Sequence, residues 1–214
     1  MVKAKDDRGG HWACCKEDFC RFCHRLYDRH LVSGVGGNVA ARVADEVFLT
    51  PSGYSLRDVQ PHMVAVLSKK RKALGAMPPT KDANMHLNVL RTRADVNVVC
   101  HVHGAFIIAA SALMEPGSNS LPPVTPGFVR FAYPLPMIPF MVPGTEELAQ
   151  TVANVLSNKG SRAVLLQNHG LVTIGKDFEE ALNIAEEIDE AARIMVLTAG
   201  KARTIPIENL DEIG

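Results

Sequence analysis

Val96-Asn97-Val98-Val99-Cys100-His101-Val102-His103-Gly104 reads as a buried strand that ends in two histidines. Its β-branched, apolar run argues for extended backbone. Side chains at i and i+2 of a strand share one face, so His101 and His103 point the same way. Two imidazoles at that spacing can close on one ion. Zinc–nitrogen bonds of roughly 2.0–2.1 Å, with three protein ligands and an open position, are the pattern of a catalytic zinc site. The third candidate is His169, which follows the apolar run Ala163-Val164-Leu165-Leu166 and precedes Gly170, where a strand opens into a turn. Taken alone, a His-x-His pair on a strand is more often an ordinary exposed or hydrogen-bonded pair than a metal site. The case for a metal therefore rests on the segments around it.

Working outward, Leu171 to Ile174 pairs naturally with the strand before His169, across Asn168-His169-Gly170. Asp177 is the expected cap of a long helix, with Glu180 three residues on as its capping-box partner. Phe178, Ala181, Leu182, Ala185, Ile188, Ala192 and Met195 supply its buried stripe, and Gly200 stops it. Thr145 starts another helix with Leu148, Val152, Val155 and Leu156 at helical spacing. Phe106 to Leu113 reads as a short buried helix, and Pro116 to Pro143 as a proline-rich stretch broken by a strand-like Met137-Ile138-Pro139-Phe140. Upstream, Thr80 is the expected N-cap of a helix running to about Arg93. Glu46 to Thr50 is a strand entering the Pro51-Ser52-Gly53 turn. Leu31 to Ala40 is a glycine-rich loop. It lacks the Gly-Lys-Ser/Thr of a P-loop and the third glycine of a dinucleotide fingerprint.

The chain's 214 residues suit one α/β domain with a proper core. Its 23 basic and 23 acidic residues cancel, with no basic block, so nucleic acid and anionic membranes are poor candidate partners. No apolar run approaches a membrane span, and the charged N-terminus carries no signal-peptide pattern, which predicts a cytoplasmic protein. Five cysteines, an odd number, then imply reduced thiols. Cys20-Arg21-Phe22-Cys23-His24 matches the c-type haem attachment pattern, but that chemistry needs export. A helix placing Trp12, Cys15, Phe19, Phe22, Cys23 and Leu26 on one buried stripe is preferred over haem or a metal cluster.

Five segments, in this order, resemble the class II zinc-dependent sugar-phosphate aldolase family. They are Gly36-Gly37-Asn38-Val39, Thr50-Pro51-Ser52-Gly53, Pro79-Thr80-Lys81-Asp82-Ala83-Asn84-Met85-His86, Val99-Cys100-His101-Val102-His103 and Leu165-Leu166-Gln167-Asn168-His169-Gly170. The family includes L-fuculose-1-phosphate aldolase, L-ribulose-5-phosphate 4-epimerase and phosphosugar-acid decarboxylases. The resemblance implies a single three-layer αβα domain over residues 1–214, with its core at about 17–200 and a largely antiparallel sheet. It also implies a homotetramer with active sites between subunits. On the same basis, His101, His103 and His169 match the metal ligands, for zinc or else cobalt, nickel or manganese. Gly37, Asn38, Ser52, Gly53, Thr80 and Lys81 match the positions that hold the substrate phosphate, and Asp82 the catalytic acid/base. His86, one turn along the same helical face, reads as structural or supporting.

The implied reaction is cleavage of a ketose phosphate to dihydroxyacetone phosphate and an aldehyde through a metal-stabilised enediolate. Decarboxylation of a phosphorylated 3-oxo sugar acid, or 4-epimerisation of a pentulose phosphate, would use the same site. An adducin-like binding module is the non-enzymatic alternative, and the intact histidine triad speaks against it. The sequence departs from the aldolase pattern in three ways. Lys81 stands where the aldolases have a second serine, Asp82 is one methylene shorter than their glutamate, and Tyr27, Tyr54 and Tyr133 do not match their intersubunit tyrosine.

Overall fold

Side-chain alternation along the histidine strand sorts the molecule into layers. In the computed structural model, which describes residues 14–68 and 70–213, that segment is a fully buried strand over Val98–Val102. Val98, Cys100 and Val102 belong to one hydrophobic cluster and Val99 to the other. His101, two residues from Val99, therefore shares the second face. A one-residue slip in register would turn the histidines to the other face of the sheet and exchange the apolar partners of the two clusters.

In chain order the strands are β1 (Asn38–Val43), β2 (Glu46–Leu49), β3 (Ala65–Ser68), β4 (Val98–Val102), β5 (Met137–Ile138), β6 (Ala163–Leu166) and β7 (Gly170–Gly175). They form one sheet ordered β3-β2-β1-β4-β7-β6-β5. Only the β5–β6 pairing is parallel. The helices are α1 (Lys16–Asp28), α2 (Ala83–Thr92), α3 (Ala105–Leu113), α4 (Pro126–Ala132), α5 (Glu146–Leu156), α6 (Phe178–Leu197) and the single turn α7 (Leu210–Ile213). Helices α1, α3, α4 and α6 cover one face of the sheet, and α2 and α5 cover the other. This is the three-layer αβα arrangement with a largely antiparallel sheet expected from the sequence.

The local devices are mostly those the sequence announces. Asp177 accepts from the Glu180 amide at 2.8 Å, and the amide of Gly200 closes the far end of α6 on Met195 O, also at 2.8 Å. The Glu180 carboxylate accepts from the Lys176 amide, one residue before the cap, so the expected capping box is offset. Thr145 caps α5 through the Leu148 amide.

Four expectations need correction. First, Leu31–Ala40 is not loop throughout, because β1 begins at Asn38. Second, α4 was hidden by its own proline. Pro126 occupies the first helical turn, where a missing N–H costs nothing, and Thr125 caps the helix through the Phe128 amide. Third, Cys15 is exposed at the start of α1 while Cys20 and Cys23 pack into the core; Trp12 lies outside the described residues. Fourth, α2 begins at Ala83 with Asp82 at its N-cap, two residues later than a Thr80 cap allows. The Thr80 hydroxyl instead accepts from the Asp82 amide at 3.3 Å and tightens the turn into the helix.

Candidate active site

The ends of β4 and β7 meet at the three histidines. His101 is buried in mid-sheet, His103 is one step beyond the strand, and His169 occupies the tight β6–β7 turn next to Asn168 at φ +54°. Their Nε2 atoms converge, with 2.9 Å from His103 to His101 and 3.3 Å from His101 to His169. Nitrogens sharing a tetrahedral ion with bonds of roughly 2.0–2.1 Å would stand about 3.3–3.4 Å apart, so the triad is close to coordination geometry. The Nδ1 of His101 donates to Leu171 O at 3.0 Å, which leaves the Nε2 lone pair facing the other two rings. Among the described residues, this is the one group of three or more potential ligands that converges in this way. Three neutral imidazoles facing one point suit a divalent ion such as zinc.

Electrostatics keep the donors neutral. Burial holds His101 well below the ordinary imidazole range, and the neighbouring His103 and His169 push it the same way. Burial takes His103 down to about 4, helped by His169 and opposed by Asp82. His169 is also lowered by burial against the opposing pull of Asp82. A carboxylate within electrostatic range of two of the rings is thus part of the same site.

Close backbone packing sets the walls. Gly37 sits at φ +78°, and a Cβ there would collide with the Val32 side chain and reach 3.0 Å from His101 O. At Gly170 a Cβ would run into Val102 O and approach His103 Cδ2 to 2.9 Å. No side chain larger than hydrogen fits between these turns and the histidine strand.

Three loops gather beside the triad. Thr50 binds β1 twice, its amide donating to Val39 O at 3.0 Å and its hydroxyl accepting from Val39 N at 3.1 Å. The Ser52 amide donates to Pro78 O at 3.1 Å, and the Thr80 amide to Thr50 O at 2.9 Å. Gly37-Asn38, Ser52-Gly53 and Thr80-Lys81 are thereby stitched into one cradle. The Ser52 and Thr80 amides are spent on these links. The hydroxyls of Ser52 and Thr80, the Asn38 amide and the exposed Lys81 ammonium remain as donors.

Asn38 stands directly opposite His101 in the β1–β4 register, which puts its side chain on the α2 face. Its Nδ2 donates to Asp82 Oδ2 at 2.8 Å, and its Oδ1 lies 2.5 Å from the Nε2 of the buried His86. Burial lowers His86 to about 4, with Asp82 pulling the other way. The link from Asn38 to both groups was missed in the sequence. The available signal was the alternation Asn38-Val39-Ala40-Ala41, which makes Asn38 a strand residue facing the helix that carries Asp82 and His86. Of the tyrosines, Tyr133 accepts at its hydroxyl from Asn119, Tyr27 lies under Arg57, and Tyr54 is exposed.

A sheet of this order with a histidine triad at its rim and a carboxylate on the adjoining helix start defines a class, and sequence comparison agrees with it. The chain belongs to the class II aldolase and adducin N-terminal domain family, whose model matches residues 17–196. It is 31% identical over 177 residues to an L-fuculose phosphate aldolase of Methanococcus maripaludis, covering 83% of this chain and 93% of that protein. It is 30% identical over 190 residues to a 3-oxo-tetronate 4-phosphate decarboxylase of Haemophilus influenzae, covering 87% and 89% respectively. Among solved structures, an L-fuculose 1-phosphate aldolase superposes with a TM-score of 0.83 at 26% identity, over 96% of this chain and 97% of that one. YgbL from Klebsiella pneumoniae gives 0.86 at 26% identity, over 93% and 97%.

Proposed function

We propose that this chain is a metal-dependent carbon–carbon lyase acting on a phosphorylated sugar. In this reading it is an aldolase that cleaves a ketose phosphate to dihydroxyacetone phosphate and an aldehyde. The observation that carries the reading is the convergence of three neutral imidazoles beside a carboxylate held by Asn38. His101, His103 and His169 would hold the ion, zinc by the chemistry of the ligand set. The ion supplies Lewis-acid polarisation of the substrate carbonyl, worth several kcal/mol. Gly37, Asn38, Ser52, Gly53, Thr80 and Lys81 bind the phosphate, with Lys81 as the point charge. Asp82 delivers a proton to the carbon left electron-rich when the carbon–carbon bond breaks, a role worth roughly 10²–10⁴ in rate.

Decarboxylation of a phosphorylated 3-oxo sugar acid is the second reading. The Haemophilus influenzae relative supports it, as does Lys81, whose ammonium suits a carboxylate as well as a phosphate. We further take residues 1–214 as one catalytic domain that works in the cytoplasm as a homotetramer; none of its described helices is long and apolar enough to cross a membrane. The test is turnover of L-fuculose 1-phosphate, related ketose 1-phosphates and 3-oxo-tetronate 4-phosphate, with products identified by mass spectrometry. Dihydroxyacetone phosphate plus aldehyde is expected. Carbon dioxide release from the sugar acid alone would replace the aldolase reading with the second, and inertness toward the whole panel with metal bound would overturn both.

A further inference from the structure

Besides the proposed ligands, three side chains form a hydrogen-bonded line across the layer between β1 and α2. His86 Nε2 lies 2.5 Å from Asn38 Oδ1, and Asn38 Nδ2 donates to Asp82 Oδ2 at 2.8 Å. His86 is fully buried, and its Nδ1 has no partner. Asp82 and His86 are four residues apart, so the start of α2 presents both to Asn38 from one face.

Only one placement of hydrogens satisfies this line. With the carboxamide turned over, its oxygen would face a carboxylate oxygen at hydrogen-bond distance and its NH2 would need an acceptor on His86. The imidazole would then carry its proton on Nδ1, leaving a buried N–H with nothing to bind, which is costly because a buried donor loses its water without gaining a partner. The observed arrangement leaves only a ring lone pair unpartnered, a lesser loss. His86 is therefore the Nε2–H tautomer and donates to Asn38. With its oxygen committed, Asn38 turns only N–H groups toward the site. One binds Asp82, and the other has no partner among the described residues.

We propose that His86 is a positioning residue: by fixing the Asn38 amide as a donor, it holds the Asp82 carboxylate beside the histidine triad. This rests on the reading of Asp82 as the proton carrier. Without the His86 bond the amide can rotate, and the charge-assisted bond that aims Asp82 is lost. The effect belongs mainly to kcat, because what moves is the group that transfers the proton and not the ion.

The experiment compares His86→Gln, which keeps an N–H donor near the Nε2 position, with His86→Leu, which removes it. Asn38→Ala and the double variant His86→Leu/Asn38→Ala complete a cycle. Metal content and thermal midpoint are measured throughout. Leu should cost about 10–100-fold in kcat and Gln less than about fivefold, with the double variant no slower than Asn38→Ala alone, the coupling expected of contacting groups. Nitrogen-15 spectra of the imidazole should show the neutral Nε2–H tautomer, with its proton signal moved by Asn38→Ala. Equal losses for Gln and Leu, additive losses in the cycle, or an Nδ1–H tautomer would each overturn the proposal. If no sugar phosphate is turned over, the functional reading fails by itself. The spectra then still decide whether His86 holds Asn38. Should the Leu variant not fold, Gln, Asn38→Ala and the spectra carry the test.

Discussion

The two halves of the site are built by different means. The triad stands at the ends of paired strands, with His101 on β4, His103 one residue past it and His169 in the β6–β7 turn, and the β4–β7 register brings the rings together. The half that carries Asp82 and the loops proposed to bind the phosphate stands on turns and a helix start, held by hydrogen bonds between residues 44 and 48 positions apart in sequence. Strand-borne geometry is robust because the whole sheet must shift to change it. Loop-borne geometry can be altered by one side chain, and that is where members of one family have room to differ in chemistry. Lys81 and the short Asp82 both lie in the second half.

That contrast predicts substitutions with separable consequences. The largest effect expected without loss of metal is that of Asp82→Asn. It keeps the shape and removes basicity, so kcat should fall by about two to four powers of ten. Exchange of the substrate-derived α-proton with deuterated water should fall in parallel. Near-normal exchange would assign the proton to another group and reduce Asp82 to a helix-start residue.

Acid should act on the buried imidazoles before it acts on the loops. His86 and His103 are held at about 4 and His101 well below the ordinary imidazole range, chiefly by burial, whereas an unfolded histidine titrates near 6.5. The unfolded chain therefore takes up protons first as the pH drops. The stability of metal-stripped protein should be complete above about pH 6.5 and decline toward pH 4, by up to about 1.4 kcal/mol per pH unit for each such group. Urea midpoints at pH 7, 6 and 5 measure the slope, and His103→Gln should lessen it. A flat profile would mean that the rings are not held neutral.

The smallest effect should come from Lys81→Ala. In the proposed reading its exposed ammonium binds the substrate phosphate, remote from the reacting carbon, so KM for a phosphorylated sugar should rise about tenfold with kcat changed less. An unchanged KM would remove Lys81 from the cradle.

The same contrast explains what could be read in advance. Period-two alternation at Val98–His103, the hairpin around Asn168 and the long stripe of α6 are local signals, and they mark the elements that carry the triad; the three-layer fold and the joint role of the three histidines came from the family resemblance. Thr80 is a good cap by type and so points to a start of α2 two residues early, yet its hydroxyl serves the turn before the helix. Helix α4 was obscured because proline breaks helices in their interior and begins them at their first turn. The Asn38 link to His86 and Asp82 is a long-range side-chain match, and no local periodicity encodes it.

The central claim is that the rim of the β4–β7 pair is a metal centre with an acid–base group beside it. Elemental analysis of the purified wild type and of His103→Ala, each with its thermal midpoint recorded, tests this most directly. The account predicts one divalent ion per wild-type chain, zinc by the ligand set, and almost none in a folded His103→Ala. Equal metal content in the two proteins would contradict it.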